Sequence, residues 1–277
     1  MKKSKRKALG QHFLKNPRII NKIIQVINPQ KNDLIIEIGV GKGSLTLPIA
    51  RLAGRVIAIE KDRSLVAYLK EIIPKNVILI EGDILQLELK KILANDLHHF
   101  PNIKLVGNLP YSIASQIIIN AYENKNYFPF WVFLLQEEMA QRLILSPGSK
   151  KLNPLAIMLQ NYFEIQKVLK VKPQSFHPPP QVFSALLSFK KRKKPLFLIQ
   201  DEKQFHSFLK RCFAKRRKTL RNNLLATSFN QDSISEALAT FEISPHERAE
   251  DLDLKTFFNL YNFFYLKKDQ INHHNIT

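Results

Sequence analysis

Residues 33–44 read DLIIEIGVGKGS, an apolar run that ends in three closely spaced glycines. The first six residues are mostly apolar and rich in isoleucine, which predicts a buried β-strand. Gly39, Gly41 and Gly43 predict a tight turn, because glycine adopts backbone conformations that other residues avoid. Residues Ser44–Arg51 predict a helix. This order of strand, glycine-rich turn and helix indicates the first unit of an α/β fold.

The alternation of strands and helices continues well beyond this stretch. Further strands are predicted at residues 55–59, 76–80, 103–106 and 130–135, with helices at residues 62–73, 112–122, 137–145 and 154–163. Strands that alternate with helices imply a parallel sheet with right-handed crossovers. A late pair of strands, at residues 163–171 and 182–189, is predicted to end the sheet. We therefore predict a doubly wound α/β domain.

The pattern changes after a charged segment at Lys190–Lys194. Beyond it, apolar residues recur only at helical spacing, over residues 202–213, 218–226, 231–240 and 254–265. We place the domain boundary near residues 190–196. The prediction is an α/β domain over residues 1–192, followed by a smaller, all-helical domain over residues 196–268.

The composition indicates a soluble protein with a polyanionic partner. The length of 277 residues suggests about two domains. The hydrophobic fraction of 45% is enough to bury a sizeable core. Its formal net charge of +20 favours nucleic acid or an anionic membrane as the partner. No apolar run approaches the ~18 residues that span a bilayer, and no signal peptide follows Met1, so we predict a cytoplasmic location. Cys212, the single cysteine, permits no internal disulfide and no cysteine-rich metal site, so we predict a reduced, buried thiol.

Acidic residues follow the second and third predicted strands. Glu60 lies about 20 residues after Gly39, the spacing at which a carboxylate accepts hydrogen bonds from ribose hydroxyls. Ser44 stands where the dinucleotide pattern requires Gly or Ala, which favours S-adenosylmethionine over NAD. Asp83 is placed to accept from the adenine amino group. An ordinary turn with helix-capping carboxylates is the alternative, but three strand ends in register favour a cofactor site, which includes Gly39 and Gly41.

The fourth predicted strand ends in Asn108-Leu-Pro-Tyr111, the form of the amino-methyltransferase signature. An exocyclic adenine nitrogen is a poor nucleophile, because its lone pair is delocalised into the ring. The Asn108 side-chain oxygen and the Pro110 carbonyl could accept the amino protons and favour a tetrahedral nitrogen. Tyr111 offers a ring on which an extruded base can stack, and Phe176 is predicted to close the opposite side. The alternative is a turn that merely ends a strand.

At this point the sequence resembles the bacterial small-subunit (16S) ribosomal RNA adenine N6,N6-dimethyltransferase family. The resemblance covers nearly the whole chain. Besides the motifs above, it is carried by residues 9–14, 176–184, 212–224 and 248–252. It implies a Rossmann-like, S-adenosylmethionine-dependent methyltransferase domain with a smaller helical C-terminal domain. Gln181 and Phe183 depart from the family, whose members often have Lys and a polar residue at these positions.

The resemblance also implies a substrate and a set of contacts. In the family the N-terminal segment folds over the cofactor, so His12 and Leu14 are implied to be cofactor contacts. The implied substrate is a pair of adjacent adenosines in a hairpin loop near the 3′ end of 16S ribosomal RNA, each of which receives two methyl groups. The implied partner is an immature small ribosomal subunit, with a role in its biogenesis, and the chain is expected to be a monomer.

Two basic clusters are candidate phosphate-binding surfaces. Residues 1–22 contain eight Lys or Arg and no acid. The second cluster is predicted on a helix and comprises Lys215, Arg216, Arg217, Lys218 and Arg221. An isoleucine stripe over residues 19–27 would suit a membrane-surface helix. We prefer a helix that packs on the first domain.

Three functional hypotheses follow from the sequence. The first is an RNA adenine dimethyltransferase, which the intact motifs at residues 60, 83 and 108–111 favour. The second is a non-catalytic RNA-binding or ribosome-assembly factor that retains the fold. The third is an NAD-dependent oxidoreductase, against which Ser44 argues. From the residues alone, a DNA adenine enzyme or a relative that modifies large-subunit RNA would use similar motifs.

Overall fold

The computed structural model describes residues 11–94, 96–144, 149 and 152–272, with side chains to residue 265. The chain divides into two compact units. The first comprises Met1–Ala140 and Glu164–Lys191, and the second comprises Gln141–Phe163 and Arg192–Thr277.

The first unit is built on a seven-stranded sheet, accompanied by a two-stranded one. The strands are β1 (Phe13–Leu14), β2 (Asp33–Ile38), β3 (Arg55–Glu60), β4 (Val77–Glu81), β5 (Asn102–Asn108), β6 (Phe130–Gln136), β7 (Phe163–Val171), β8 (Phe176–His177) and β9 (Ser184–Lys191). The helices of this unit are α1 (Pro17–Ile27), α2 (Thr46–Leu52), α3 (Arg63–Lys70), α4 (Leu89–Leu93) and α5 (Ala114–Glu123). The next helix, α6 (Glu137–Leu143), has its first four residues in this unit and its last three in the second.

The large sheet has the strand order β4-β3-β2-β5-β6-β9-β7. Strands β2 to β6 are parallel, and β9 pairs antiparallel with β6. The strand order reverses at β2, which lies between β3 and β5, and such a switch point opens a crevice at the carboxyl ends of the strands. The register aligns Ile38 at the end of β2 with Ile59 and Gly107. The predicted doubly wound α/β domain is confirmed.

The core of the first unit follows from the apolar strands. All six residues of β2 are buried, and the rings of Trp131 and Phe189 from β6 and β9 lie 5.4 Å apart between centroids. Helix α1 turns its isoleucine stripe inward, with Ile23 and Ile27 buried in the same hydrophobic cluster as the sheet residues. The preference for a core-facing helix over a membrane-surface helix is therefore confirmed.

The second unit is helical. Its helices are α7 (Pro154–Tyr162), α8 (Glu202–Cys212), α9 (Leu220–Leu225), α10 (Gln231–Thr240) and α11 (Leu254–Asn272). Aromatic side chains fill its core: Phe205 and Tyr261 meet edge to face at 5.1 Å, and Phe229 and Phe264 stack at 4.3 Å. Cys212 is buried and unpaired, as predicted. Within the described residues, no helix is long and apolar enough to cross a membrane.

The boundary between the units differs from the predicted one. The prediction assigned residues 1–192 to the first domain, whereas Gln141–Phe163 groups with the C-terminal helices. The reason lies in the end of α7, where the Asn161 amide donates to the Phe197 carbonyl at 3.0 Å and accepts from its N–H at 2.8 Å. The Tyr162 hydroxyl likewise donates to Glu202 at 2.7 Å. The apolar pattern of α7 carries no information about these polar partners.

Candidate active site

A cleft opens at the carboxyl ends of the central strands of the first unit. The structure brings nine predicted site residues together along it: His12, Leu14, Gly39, Gly41, Glu60, Asp83, Asn108, Pro110 and Tyr111. They come from the N-terminal segment, the glycine-rich turn and the ends of three strands. The sheet therefore gathers residues that are far apart in the chain.

The glycine-rich turn has the left-handed backbone that its sequence predicts. Gly39, Gly41 and Gly43 have φ angles of 72°, 63° and 79°. A Cβ at Gly41 would lie 3.0 Å from Cδ1 of Phe13, closer than ordinary packing allows. The turn consequently lies against the N-terminal segment and lines the cleft with backbone atoms.

Glu60 organises this turn as well as lining the cleft. Its Oε2 accepts the N–H of Gly41 at 2.9 Å, and its Oε1 accepts those of Lys61 and Asp62, each at 2.9 Å. A carboxylate offers about four acceptor sites, so one remains, on Oε2. Glu60 can therefore accept one of the two predicted ribose hydrogen bonds without rearrangement.

Asp83 is an ionised acceptor at the neighbouring strand end. Its Oδ2 accepts from the Lys61 ammonium at 2.7 Å, and its Oδ1 accepts the N–H of Leu85 at 3.0 Å. These hydrogen bonds, the one from Lys61 first, hold the pKa of Asp83 below its usual value. The carboxylate is thus suited to receive an amino group.

The Asn108 side chain has one defined orientation. Its Nδ2 donates to the His12 carbonyl at 2.9 Å, and a carbonyl oxygen cannot donate in return. Oδ1 is therefore the amide atom that remains to accept, and no described residue donates to it. The Pro110 carbonyl accepts the N–H of Ile113 at 3.2 Å, which leaves it a second lone pair.

Tyr111 is held in place by a hydroxyl contact and a ring contact. Its hydroxyl hydrogen-bonds Ser184 Oγ at 2.7 Å, and its ring centroid lies 5.5 Å from that of His12. Burial raises the pKa of Tyr111, so the hydroxyl is protonated at neutral pH. The His12 ring in turn donates through Nδ1 to the Pro178 carbonyl at 2.8 Å. These contacts fix the N-terminal segment beside the Tyr111 ring.

Phe176 does not lie in the cleft. The ring is only 1% exposed and belongs to the hydrophobic core, so its predicted position opposite Tyr111 is wrong in this structure. The cause is the antiparallel pairing of β1 with β8, in which Phe176 faces Leu14. A two-residue strand leaves no periodic signal in the sequence, which explains the error.

Glu37 is a cleft residue that the sequence analysis missed. It lies on β2 and is 2% exposed, and its Oε2 has no hydrogen-bond partner among the described residues. Burial raises the pKa of Glu37 to about 8, and the nearby Glu60 carboxylate contributes to this rise. The available signal was an acidic residue between two isoleucines of a buried strand.

The second basic cluster lies on a loop and not on the predicted helix. Lys215, Arg216, Arg217 and Lys218 are exposed between α8 and α9, and Arg221 alone is helical. We call residues 213–219 the basic loop. Residues 1–10, which carry most of the N-terminal basic cluster, lie outside the described residues.

Comparison with known proteins identifies the family. The family profile of ribosomal RNA adenine dimethylases matches residues 2–266. The "Ribosomal RNA small subunit methyltransferase A" of Geobacter metallireducens is 37% identical, with 91% of this chain and 92% of the relative covered. The protein of the same name from Xylella fastidiosa is 38% identical, with 93% and 95% covered.

A solved structure supports the same assignment. A dimethyladenosine transferase from Plasmodium falciparum has a TM-score of 0.76 and 25% identity, with 94% of this chain and 98% of that chain covered. The 23S rRNA methyltransferase ErmE has a TM-score of 0.68 at 23% identity, with 91% and 99% covered, and shows the fold alone. The chain therefore belongs to the ribosomal RNA adenine dimethylase family, a family of S-adenosylmethionine-dependent methyltransferases.

Proposed function

We propose that this protein transfers methyl groups from S-adenosylmethionine to the N6 amino groups of two adjacent adenosines in 16S ribosomal RNA. Family membership and the two relatives described above support this reaction. The observation that carries it is the Asn108 amide, because its nitrogen is bound by the His12 carbonyl and its oxygen is left to accept. The oxidoreductase hypothesis is excluded by the family.

The residues of the cleft fit the proposed cofactor. The glycine-rich turn leaves space for a ligand, Glu60 keeps one acceptor site for a ribose hydroxyl, and Asp83 can accept the adenine amino group. Glu37 adds a buried oxygen without a partner. Bound S-adenosylmethionine would supply a methyl group on a positively charged sulfur. Four acidic residues line the cleft, Glu37, Glu60, Asp62 and Asp83, and hydrogen bonds hold the pKa values of Asp62 and Asp83 below their usual range, so these two carboxylates are anionic and suit a cation.

Asn108 and Pro110 prepare the target nitrogen for reaction. Asn108 Oδ1 and the Pro110 carbonyl accept the two amino protons of adenine, which localises the nitrogen lone pair. Both acceptors are fixed before the substrate arrives, Asn108 by His12 and Pro110 by the turn to Ile113. Acceptors that need no reorganisation stabilise a transition state more strongly than water does.

Tyr111 holds the target base. A base inside a stacked strand cannot reach the cleft, so it must be extruded and held by a new stacking partner. The Tyr111 ring lies one residue beyond Pro110 and is oriented by Ser184. The ring therefore places the adenine amino group beside the two acceptors.

Basic side chains hold the RNA substrate. The five basic residues Lys215, Arg216, Arg217, Lys218 and Arg221 supply phosphate contacts, and the N-terminal cluster supplies others. The target adenosines lie in a hairpin loop near the 3′ end of the RNA. The partner is an immature small ribosomal subunit, the chain acts as a monomer, and its site of action is the cytoplasm, where this substrate is assembled.

The direct test is mass spectrometry of 16S RNA after incubation of the full chain with isotopically labelled S-adenosylmethionine. We expect two adjacent adenosines, each with two labelled methyl groups on N6. Unlabelled RNA that nevertheless binds the protein would contradict the proposal and favour the non-catalytic assembly factor. Label on a base other than adenine would contradict it as well.

A further inference from the structure

Phe183 is an exposed aromatic residue beside the residue that orients Tyr111. Its carbonyl accepts the N–H of Glu137 at 2.9 Å. The next residue, Ser184, is buried, pairs with Gln136 of β6, and hydrogen-bonds the Tyr111 hydroxyl at 2.7 Å. The backbone of Phe183 is therefore fixed relative to Tyr111 by the sheet.

The Phe183 ring is exposed and has a cation over its face. Phe183 is 41% exposed and its neighbour Val182 is 44% exposed. The ammonium of Lys170 lies 4.3 Å from the ring centroid. An aromatic ring beside a cation matches the two parts of a nucleotide, because the ring stacks on the base while the cation pairs with the phosphate.

The location also indicates which nucleotide would be bound. In a single-stranded loop, consecutive bases are splayed apart and become available for stacking on aromatic side chains. Tyr111 is proposed to hold the target adenine, and Phe183 is an exposed aromatic residue adjacent in the chain to Ser184, which hydrogen-bonds the Tyr111 hydroxyl.

We propose that Phe183 and Lys170 bind the nucleotide next to the methylated adenosine, with its base stacked on the Phe183 ring and its phosphate paired with Lys170. The proposal rests on the proposed function, since it takes Tyr111 as the site of the target base. It makes this pair a determinant of which RNA loops are methylated.

The test is single-turnover methyl transfer to 16S RNA by the full chain, with the half-saturating RNA concentration as the readout. In Phe183→Ala this concentration rises roughly 5- to 150-fold, the range that stacking of one base spans, while the maximal rate and the affinity for S-adenosylmethionine stay unchanged. Phe183→Tyr restores the wild-type value. Val182→Ala, a change at the equally exposed neighbour, is the matched control and has no effect.

A substrate with the neighbouring base removed provides the second arm. On this abasic RNA, wild type and Phe183→Ala reach half-saturation at the same concentration, because no base remains to stack. The salt dependence of binding to intact RNA is measured as the slope of log K against the logarithm of the salt concentration. Lys170→Gln reduces the magnitude of this slope by about 0.7, the value for one phosphate contact on a single strand.

The outcomes separate this proposal from the function on which it rests. If Phe183→Ala has the wild-type half-saturating concentration on intact RNA, and the wild-type enzyme methylates its adenosines, the stacking site is overturned and the proposed function stands. An equal loss of affinity in Phe183→Ala on abasic and intact RNA would also overturn it. Absence of adenosine methylation by the wild-type protein would overturn the proposed function itself.

Discussion

At the scale of single residues, the acidic side chains of the cleft have different environments. The Glu60 carboxylate accepts three backbone N–H groups, and Asp83 accepts one backbone N–H and the Lys61 ammonium. Glu37 Oε2 has no partner among the described residues. Such hydrogen bonds stabilise the ionised form, whereas burial alone disfavours it. We therefore expect substitutions of Glu60 and Glu37 to have different consequences.

Glu60→Ala is expected to weaken binding of S-adenosylmethionine roughly 10- to 150-fold, because it removes a charge-assisted hydrogen bond of about 1.5–3 kcal/mol. The turn at Gly41 also loses its anchor. Calorimetric titration measures the affinity. Glu81→Ala is the matched control, since Glu81 also ends a strand but is exposed and pairs with Arg63. Equal affinities in the two folded variants would contradict the site.

Glu37→Gln is expected to change how stability depends on pH. Burial raises the pKa of Glu37 to about 8, whereas an unfolded Glu titrates near ~4.3. Between these values the native state keeps a proton that the unfolded state has released, so rising pH destabilises the wild-type protein. The Tm of Glu37→Gln relative to that of wild type should therefore increase as the pH rises from 5 to 8. A constant difference in Tm across this range would show that Glu37 does not titrate as described.

At the scale of elements, the sequence predicted the strands and helices whose apolar residues recur at regular spacing. It missed the short strands that have no such spacing. Strands β2 and β3 and helix α10 follow the predicted ranges closely, because their apolar residues recur at regular spacing. The two-residue strands β1 and β8 have no such pattern, and their pairing depends on the contact of Leu14 with Phe176. The predicted helix from residue 218 begins at Leu220, because Thr219 caps it.

The basic loop depends on one buried side chain. The Asn223 amide donates to the Cys212 carbonyl at 2.8 Å and to the Lys215 carbonyl at 3.3 Å, and it accepts the Lys215 N–H at 3.1 Å. Asn223 is 3% exposed, so few water molecules can replace these bonds. The amide thus joins the end of α8 to the loop that carries the cations.

Asn223→Ala is expected to lower the free energy of unfolding by about 1–3 kcal/mol, since it leaves buried backbone groups without partners. RNA binding should weaken as the loop loses its fixed conformation, while the affinity for S-adenosylmethionine is unchanged. Chemical denaturation and RNA titration measure the two effects. The exposed neighbour provides the control, Asn222→Ala. Identical RNA affinity in both variants would show that the loop does not need this anchor.

At the scale of the whole molecule, the formal net charge of +20 contrasts with the acidic residues that line the cofactor cleft. The basic loop and the N-terminal cluster carry much of it, whereas Glu37, Glu60 and Asp83 line the cleft. The sequence predicted the basic clusters and the acidic strand ends at Glu60 and Asp83, because they depend on residue type and strand order, but it did not predict Glu37. It did not predict that Gln141–Phe163 joins the second unit, since that grouping depends on individual polar contacts.

Neutralising Arg216, Arg217 and Lys218 together is expected to weaken RNA binding and reduce its salt dependence, by roughly 0.7–0.9 in slope for each lost phosphate contact. Titrations at several salt concentrations measure the slope. The control neutralises Lys190, Lys193 and Lys194, which removes the same charge elsewhere. An equal change in both variants would mean that net charge, and not the basic loop, determines binding.

The central claim is that the Asn108 oxygen acts on the target amino group in the transition state. Single-turnover methyl transfer to 16S RNA by Asn108→Ala tests it most directly, with cofactor and RNA affinities measured separately. We expect a rate about 100- to 1000-fold lower, the usual cost of one preorganised polar group, with both affinities nearly unchanged. A rate close to that of wild type would contradict this role of Asn108 and make the Asn108–Tyr111 segment a structural turn.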